Sequence, residues 1–386
     1  MKKIVIASDS FKGSLSSAGV AEAAEAGIRE VYPKCRIMRL AVGDGGEGTC
    51  KAIASALPCE WIQIQVSNPL GERCVSEYAI CRTGNDVMAV MEMAQSSGLI
   101  LIDDDERDPM LASTYGTGEM IRDAVERGCR KFIIGLGGSA TNDGGAGMLE
   151  ALGFRFKDKD GNTIVKCCGK KLTEIAEVDT TGVPEEILSS SFTVACDVDT
   201  PFYGKEGATR IFAPQKGASP ASVEILELGM QSFAGVIRRQ SGIDLSQVKG
   251  SGAAGGTGGA LYAFLGASLC KGADLVLDAI GFDKIIDDAD LVITGEGRID
   301  SQTFCGKLPS TVLRRASEKG IPVIAIGGIV DLEPDEIRES GFLSVLPIQP
   351  HPVTPAETVA AMTPEATSSN ITRTIISALS QLCDSY

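Results

Sequence analysis

Short branched apolar runs alternate with helix-period stretches along most of this chain. Lys3–Ser8 (KIVIAS) is a continuous apolar run of strand length, as in a strand covered on both faces of a parallel sheet. Ser10-Phe-Lys-Gly-Ser14 follows as a loop. Ser14, Ser16 or Ser17 can cap a helix running to about Tyr32, where Pro33 stops it. Arg36–Ala41 is the next strand, and Gly43–Thr49 leads into a second helix. A β-α-β-α start implies right-handed crossovers and a parallel sheet.

The pattern changes after Pro58. Trp61–Val66, Cys74–Ile80 and Val87–Met93 alternate or run apolar between turn residues, which predicts an antiparallel meander. A helix is expected over Gly116–Arg127, a strand over Lys131–Leu136 and a helix from Asp143 or Gly144. Phe192–Cys196 reads as a strand, Ala221–Gln240 as a long helix, and Gly250–Gly259 as the opening of a helix through Ala267. From about Asp288 the β-α rhythm returns, with strands at Leu291–Thr294, Pro322–Ile326 and Leu343–Leu346 and helices at Leu308–Lys319 and Ser369–Leu382. The fold class predicted is α/β: a five-stranded doubly wound parallel sheet from residues 1–58 and 285–386, with a mixed α/β domain, 59–284, inserted into it.

Three apolar runs end in glycines mixed with carboxylates: Leu40–Thr49, Ile134–Gly147 and Leu291–Gln302. Each reads as a strand end opening onto a helix. Glycine allows close backbone approach to a ligand, and helix-start N–H groups attract phosphate. Asp and Glu nearby suit Mg²⁺, which rides on substrate phosphates. Backbone donors beside acidic metal ligands are what phosphoryl transfer requires.

Composition narrows the field. A net charge of −15 argues against nucleic acid or a membrane surface as partner. No apolar run reaches the roughly 18 residues of a membrane span, and the N-terminal run Ile4–Ala7 is too short for a signal peptide, so a cytoplasmic location is expected. The twelve cysteines include no C-x-x-C pair and there is one histidine, which makes a zinc site improbable and reduced core thiols the expectation. That histidine, His351, lies between Pro350 and Pro352, so acid–base work falls to carboxylates or lysines.

Among phosphate motifs, Walker A fails because no Gly-Lys pair is followed by Ser or Thr. Gly250–Gly255 matches G-x-G-x-x-G, but no convincing strand precedes it. It reads as an anion cradle, as close helix packing, or as a dinucleotide site. Asp44 and Glu47 sit at a strand's carboxyl end, where doubly wound folds bind ligands. Ser139 and Thr141 can cap, and Asn142 can orient a phosphate or water. Asp197 and Asp199, two apart, would face one side of an extended chain and share a metal or raise one pKa. Arg298 and Lys307 could neutralise phosphate or bind a carboxylate. Lys12 and Lys216 are further candidate cations, Lys216 in a polar break after Phe212.

DSFKGSLSS from Asp9, DGGEGT from Asp44, GGSATNDGGAGMLEALG from Gly137, DVD from Asp197, PQKGA from Pro214, GAAGG from Gly252 and TGEGRIDSQT from Thr294 together resemble the class II glycerate kinases, over about nine-tenths of the chain. Gly43, Thr200, Phe202-Tyr203, Cys305 and the tail Pro347–Pro355 depart from the family pattern, without removing a carboxylate from these strings. The resemblance implies ATP- and Mg²⁺-dependent phosphorylation of glycerate, on the 2-hydroxyl, by a flavodoxin-like domain with an inserted α/β domain and a site in the cleft between them.

On that reading the catalytic candidates are Asp44, Asp197, Lys12, Arg298 and Lys307. Asp44 or Asp197 would position the hydroxyl, and a cation would grip the glycerate carboxylate. The nucleotide candidates are Gly137, Gly138, Ser139, Thr141, Asn142, Gly144, Gly145, Gly255 and Gly256. Asp9, Ser10, Lys12, Gly45, Gly46, Glu296 and Asp300 are the substrate candidates, and Asp143, Asp197 and Asp199 the metal ligands. The partner expected is the small molecule glycerate, and a homodimer is the candidate assembly. The rival readings are a nucleotide-dependent oxidoreductase and a non-catalytic sensor of phosphorylated sugar acids.

Overall fold

The computed structural model describes residues 1–11, 13–42, 52–54, 57–83, 86–349 and 363–384. The strands run in chain order β1 (Lys3–Ser8), β2 (Arg36–Ala41), β3 (Cys59–Ser67), β4 (Arg73–Thr83), β5 (Asp86–Glu92), β6 (Lys131–Gly135), β7 (Arg155–Lys157), β8 (Thr163–Ile164), β9 (Glu177–Asp179), β10 (Ser191–Ala195), β11 (Ser268–Cys270), β12 (Leu291–Ile299), β13 (Val323–Val330) and β14 (Ser344–Pro347). The chain divides into two compact units, Met1–Asp44 with Ala273–Tyr386, and Gly45–Gly272.

The discontinuous unit holds a five-stranded, all-parallel sheet in the order β14-β13-β12-β1-β2. The chain leaves after β2 and returns on the far side of β1 as β12. That reversal is the topological switch of a flavodoxin-like sheet, where such folds bind ligands at the strands' carboxyl ends. Every residue of β1 is buried, as a doubly covered strand requires. Ser16 caps the first helix, Ser17–Val31, accepting from the Gly19 N–H at 3.2 Å. This helix packs on the C-terminal helix Pro364–Asp384, and Ile28 joins Ile371, Ile375 and Leu379 in the core.

The continuous unit carries a six-stranded sheet, β11-β10-β6-β5-β4-β3. β3, β4 and β5 form the expected antiparallel meander, and β5, β6, β10 and β11 then pair in parallel. A small antiparallel sheet, β8-β7-β9, covers part of the core, and its strands of two or three residues carry no readable period. The helices Tyr115–Glu126 and Pro220–Ser241 fall within a residue of the sequence expectation.

Two expectations fail here. The third glycine-carboxylate stretch is not a strand-to-helix turn: β12 runs on through Gly295-Glu-Gly-Arg to Ile299, paired with β13 as far as Val330. A Cβ on Gly295 would stand 2.3 Å from the Ile326 carbonyl oxygen, so glycine serves strand approach there. Nor are all the thiols reduced. Cys59 and Cys81, directly opposite in the β3–β4 register with Cα atoms 4.0 Å apart, are joined as a disulfide.

Candidate active site

The loop leaving β6 in the continuous unit is built around one carboxylate. Asp143 is wholly buried, and its Oδ2 accepts from the Thr114 N–H (2.8 Å), the Thr114 hydroxyl (2.8 Å) and the Gly147 N–H (3.1 Å). Its Oδ1 accepts from the Gly145 N–H at 3.1 Å. Burial raises the Asp143 pKa against the opposing pull of these donors. With both oxygens engaged inside the protein, Asp143 organises the turn into the helix Ala146–Ala151, and the expected metal role does not fit it.

The glycines around it divide into two sets. Gly144 donates to the Gly255 carbonyl at 2.9 Å and Gly256 to that of Gly252 at 3.2 Å, so with Gly145 these N–H groups are engaged internally. A Cβ on Gly145 would stand 2.5 Å from that of Ala260, and one on Gly255 2.1 Å from the Thr141 carbonyl oxygen. One on Gly256 would strike Met230 and Phe202, so the unusual Phe202 ring occupies space that glycine leaves. Close loop packing therefore explains Gly144, Gly145, Gly255 and Gly256, against the expected phosphate contacts. Thr141 and Asn142 are likewise buried, the Asn142 amide donating to Thr209 Oγ1 at 3.1 Å. The dinucleotide reading loses support as well, because Gly250–Gly255 follows the short 3₁₀ turn Leu245–Gln247 and not a strand.

Gly137, Gly138 and Ser139 behave differently. With Leu99, Leu136, Ala195, Cys196, Asp197, Val198, Phe212, Gln215, Lys216, Ala253 and Ala254 they line a cavity of about 280 Å³. Gly138 takes φ +72°, which glycine permits. Lys216 ends the 3₁₀ turn Pro214–Lys216 and is buried; its Nζ donates to Ser139 Oγ and to the Thr141 carbonyl, both at 2.8 Å. Loss of hydration pushes its pKa down to about 7, with the Asp143 charge opposing. The sequence marks Lys216 by its polar break and by the PQKGA string; its place in the cavity depends on the tertiary fold.

Asp197 and Asp199 take different partners. Asp197 lines the cavity and accepts from the Gly272 N–H at 2.9 Å. Asp199 turns to Lys271 (3.2 Å) and Lys249 (3.7 Å) in a largely exposed ion-pair group. Among the described residues no group of three or more His, Cys, Asp or Glu is placed to hold a metal.

In the discontinuous unit, further candidates meet at the switch point. The Asp9 N–H donates to the Gly295 carbonyl at 2.9 Å, joining the ends of β1 and β12, and Asp9 Oδ1 accepts from the Ser10 N–H at 2.6 Å. Glu296 is buried; its Oε1 accepts from the Thr303 hydroxyl at 2.6 Å, and Lys307 Nζ stands 3.5 Å from Oε2. Burial raises its pKa while Thr303 and Lys307 oppose. Asp300 instead caps the 3₁₀ turn Ser301–Cys305. Arg298 faces Asp300 and Asp331, half-exposed, as a surface ion-pair group worth little energetically. Thr303 closes the TGEGRIDSQT string, but nothing in the sequence singles out its hydrogen bond to Glu296. Lys12, Asp44, Gly45, Gly46, Glu47 and His351 lie outside the described residues.

Residues 4–379 match the glycerate kinase family. A glycerate kinase of Halalkalibacterium halodurans is 43% identical over 350 residues, covering 91% of each chain. The glycerate 2-kinase of Escherichia coli K12 is 43% identical over 346 residues, covering 90% of each. A crystal structure from Salmonella typhimurium LT2, provisionally assigned as glycerate kinase 2, is 41% identical, superposes with a TM-score of 0.87, and is covered to 99% by the whole of this chain. The flavodoxin-like sheet, the carboxylate-built glycine loop and this full-length likeness agree, and the chain belongs to the glycerate kinase family.

Proposed function

We propose that this protein is an ATP-dependent glycerate kinase. It transfers the γ-phosphoryl group of ATP to the 2-hydroxyl of D-glycerate, releasing ADP and 2-phosphoglycerate. The observation that carries the reading is the full-length likeness to relatives named for glycerate phosphorylation, one of them a glycerate 2-kinase. Phosphoryl transfer through a loose transition state needs positioned groups and charge neutralisation more than a strong base. Glycine backbone, a buried lysine and an aspartate around one cavity supply donors and charge of that kind.

Mg²⁺ belongs to the proposal. It usually takes one or two carboxylates and completes its shell with phosphate and water. Asp197 on the cavity wall fits that need, while Asp143 and Asp199 are engaged elsewhere. When bound, the ion would neutralise phosphate charge. Asp9, Ser10, Glu296 and Lys307 are proposed for glycerate, supported by their meeting at the switch point; Asp44, Lys12, Gly45 and Gly46 enter on their motifs alone. The outer domain of 1–58 with 285–386 and the inserted 59–284 are proposed with it, supported in outline by the division at Asp44/Gly45 and Gly272/Ala273.

A cytoplasmic location and a homodimer complete the reading. Among the described residues no helix is long and apolar enough to cross a membrane. A reducing cytoplasm and the Cys59–Cys81 disulfide make opposite demands; the mass of alkylated protein taken directly from cells decides between them. The function is tested by incubating the protein with ATP, Mg²⁺ and D-glycerate, following ADP release and identifying the product isomer by ³¹P NMR. Glycerate-dependent ADP release with 2-phosphoglycerate is expected; no release would remove the kinase reading.

A further inference from the structure

Lys216 is a buried cation with no counter-ion among the described residues. It is 3% exposed, and no carboxylate lies within ion-pair distance of it among the described residues. An ammonium group carries three protons, and Ser139 Oγ and the Thr141 carbonyl receive two. Both acceptors are neutral. Asp143 acts on it through space, but four protein donors already hold that carboxylate. Removing an ammonium from water without a partner costs several kcal/mol, and the depressed pKa is the signature of that cost.

The rest of the wall points the same way. The Gly137 and Gly138 N–H groups donate to no protein acceptor among the described residues, and both glycines line the cavity with Lys216. Ala254, which lines the same cavity, holds φ +53°, a left-handed conformation costly for a residue with a Cβ. Gly255 and Gly256 continue it at φ +62° and +97°. Unused donors, a buried cation and a strained non-glycine residue line one cavity. Leu99, Leu136, Val198 and Phe212 make much of the remaining wall apolar, and the one carboxylate on it, Asp197, accepts from the Gly272 N–H and is the side chain proposed for Mg²⁺.

We infer that this cavity seats the phosphate tail of the nucleotide, with Lys216 as its built-in counter-ion. The inference rests on the kinase reading and adds to it the residue and the ligand group. An anion entering the cavity supplies the missing charge partner for Lys216 and acceptors for the two glycine N–H groups. Lysine suits this task as a compact point charge on a flexible stem.

The test uses the whole protein and two variants. Lys216→Met removes the charge and keeps the apolar stem; Lys216→Gln also keeps a donor for Ser139 and Thr141. ADP and D-glycerate are titrated separately by calorimetry, and sodium tripolyphosphate is tested against ADP in the wild type. Both variants are expected to weaken ADP by about thirtyfold or more, equivalent to about 2 kcal/mol, with glycerate affinity within about threefold of wild type, as expected for a separate site. Tripolyphosphate should displace ADP and leave glycerate binding alone. Unchanged ADP affinity in a folded variant, or no competition by tripolyphosphate in the wild type, would overturn the inference. A loss confined to glycerate would overturn it too, by giving the cavity to the substrate carboxylate. Wild-type protein that binds ADP through Lys216 yet never phosphorylates glycerate would instead refute the kinase reading and leave the phosphate seat standing.

Discussion

At Asp143, one wholly buried carboxylate replaces the hydration of four donors that no strand or helix satisfies. Asp143→Asn keeps the shape but turns an NH₂ toward N–H groups that need an acceptor. A buried donor left unmatched costs about 1–3 kcal/mol, and more where a charge was the acceptor. The expected loss is about 2–4 kcal/mol, read from the urea midpoint, with activity falling alongside. An unaltered midpoint would return Asp143 to the metal-ligand reading. Lys216 gives a pH signature at the same scale. Its folded pKa is about 7, against about 10.4 in the unfolded chain. Between those values the unfolded chain holds the extra proton, so ligand-free stability gains from this group as pH rises from 7 toward 10. Lys216→Met lacks that dependence. It should be the more stable form at pH 7, by an amount on the order of 4 kcal/mol at most, and the gap should close toward pH 10. Guanidinium unfolding of both proteins across that range checks the sign. A gap that widens with pH would mean the ammonium is stabilised by something the fold does not display.

Among the elements, the clearest test lies where the helix Ser17–Val31 meets Pro364–Asp384. A Cβ at Gly27 would lie 2.7 Å from the Thr372 carbonyl oxygen and 3.0 Å from Ile375 Cβ. Gly27→Ala gains about 1 kcal/mol of helix propensity, but overpacking a closed interface costs about 1–3 kcal/mol. It also threatens the bond from the Thr372 hydroxyl to the Ala23 carbonyl. A lowered Tm is therefore expected; a raised Tm would show that the helices yield freely. This contact was not legible in the sequence, although both helices were, because periodicity reports which face is buried and not how closely the axes approach. β1 and β2 could be read for a similar reason: branched runs of strand length leave few alternatives. The disulfide could not be, since pairing Cys59 with Cys81 requires the β3–β4 register. The glycine loops were half legible. Composition marked Gly137–Gly147 and Gly250–Gly259 as places of close approach, but only coordinates separate glycines that line a cavity from glycines that admit Phe202, Met230 or Ala260.

For the whole molecule, the two cores are separate. The cluster of the continuous unit runs from Val66 to Ala267, and that of the discontinuous unit draws on residues 4–35 and 291–379, with no residue in common. All the cavity-lining residues, Lys216 included, belong to the continuous unit, while Asp9, Glu296 and Lys307 belong to the discontinuous one. A domain with its own core and an unbroken chain can fold alone. A fragment of residues 45–272 should therefore unfold in one cooperative transition and bind ADP near full-length affinity. It should phosphorylate no glycerate, because Asp9, Glu296 and Lys307 of the switch point are absent from it. ADP binding without turnover would divide the labour between the units as proposed. Turnover by the fragment alone would strip Asp9, Glu296 and Lys307 of any part in the reaction, and a fragment that folds without binding ADP would move the nucleotide away from Lys216.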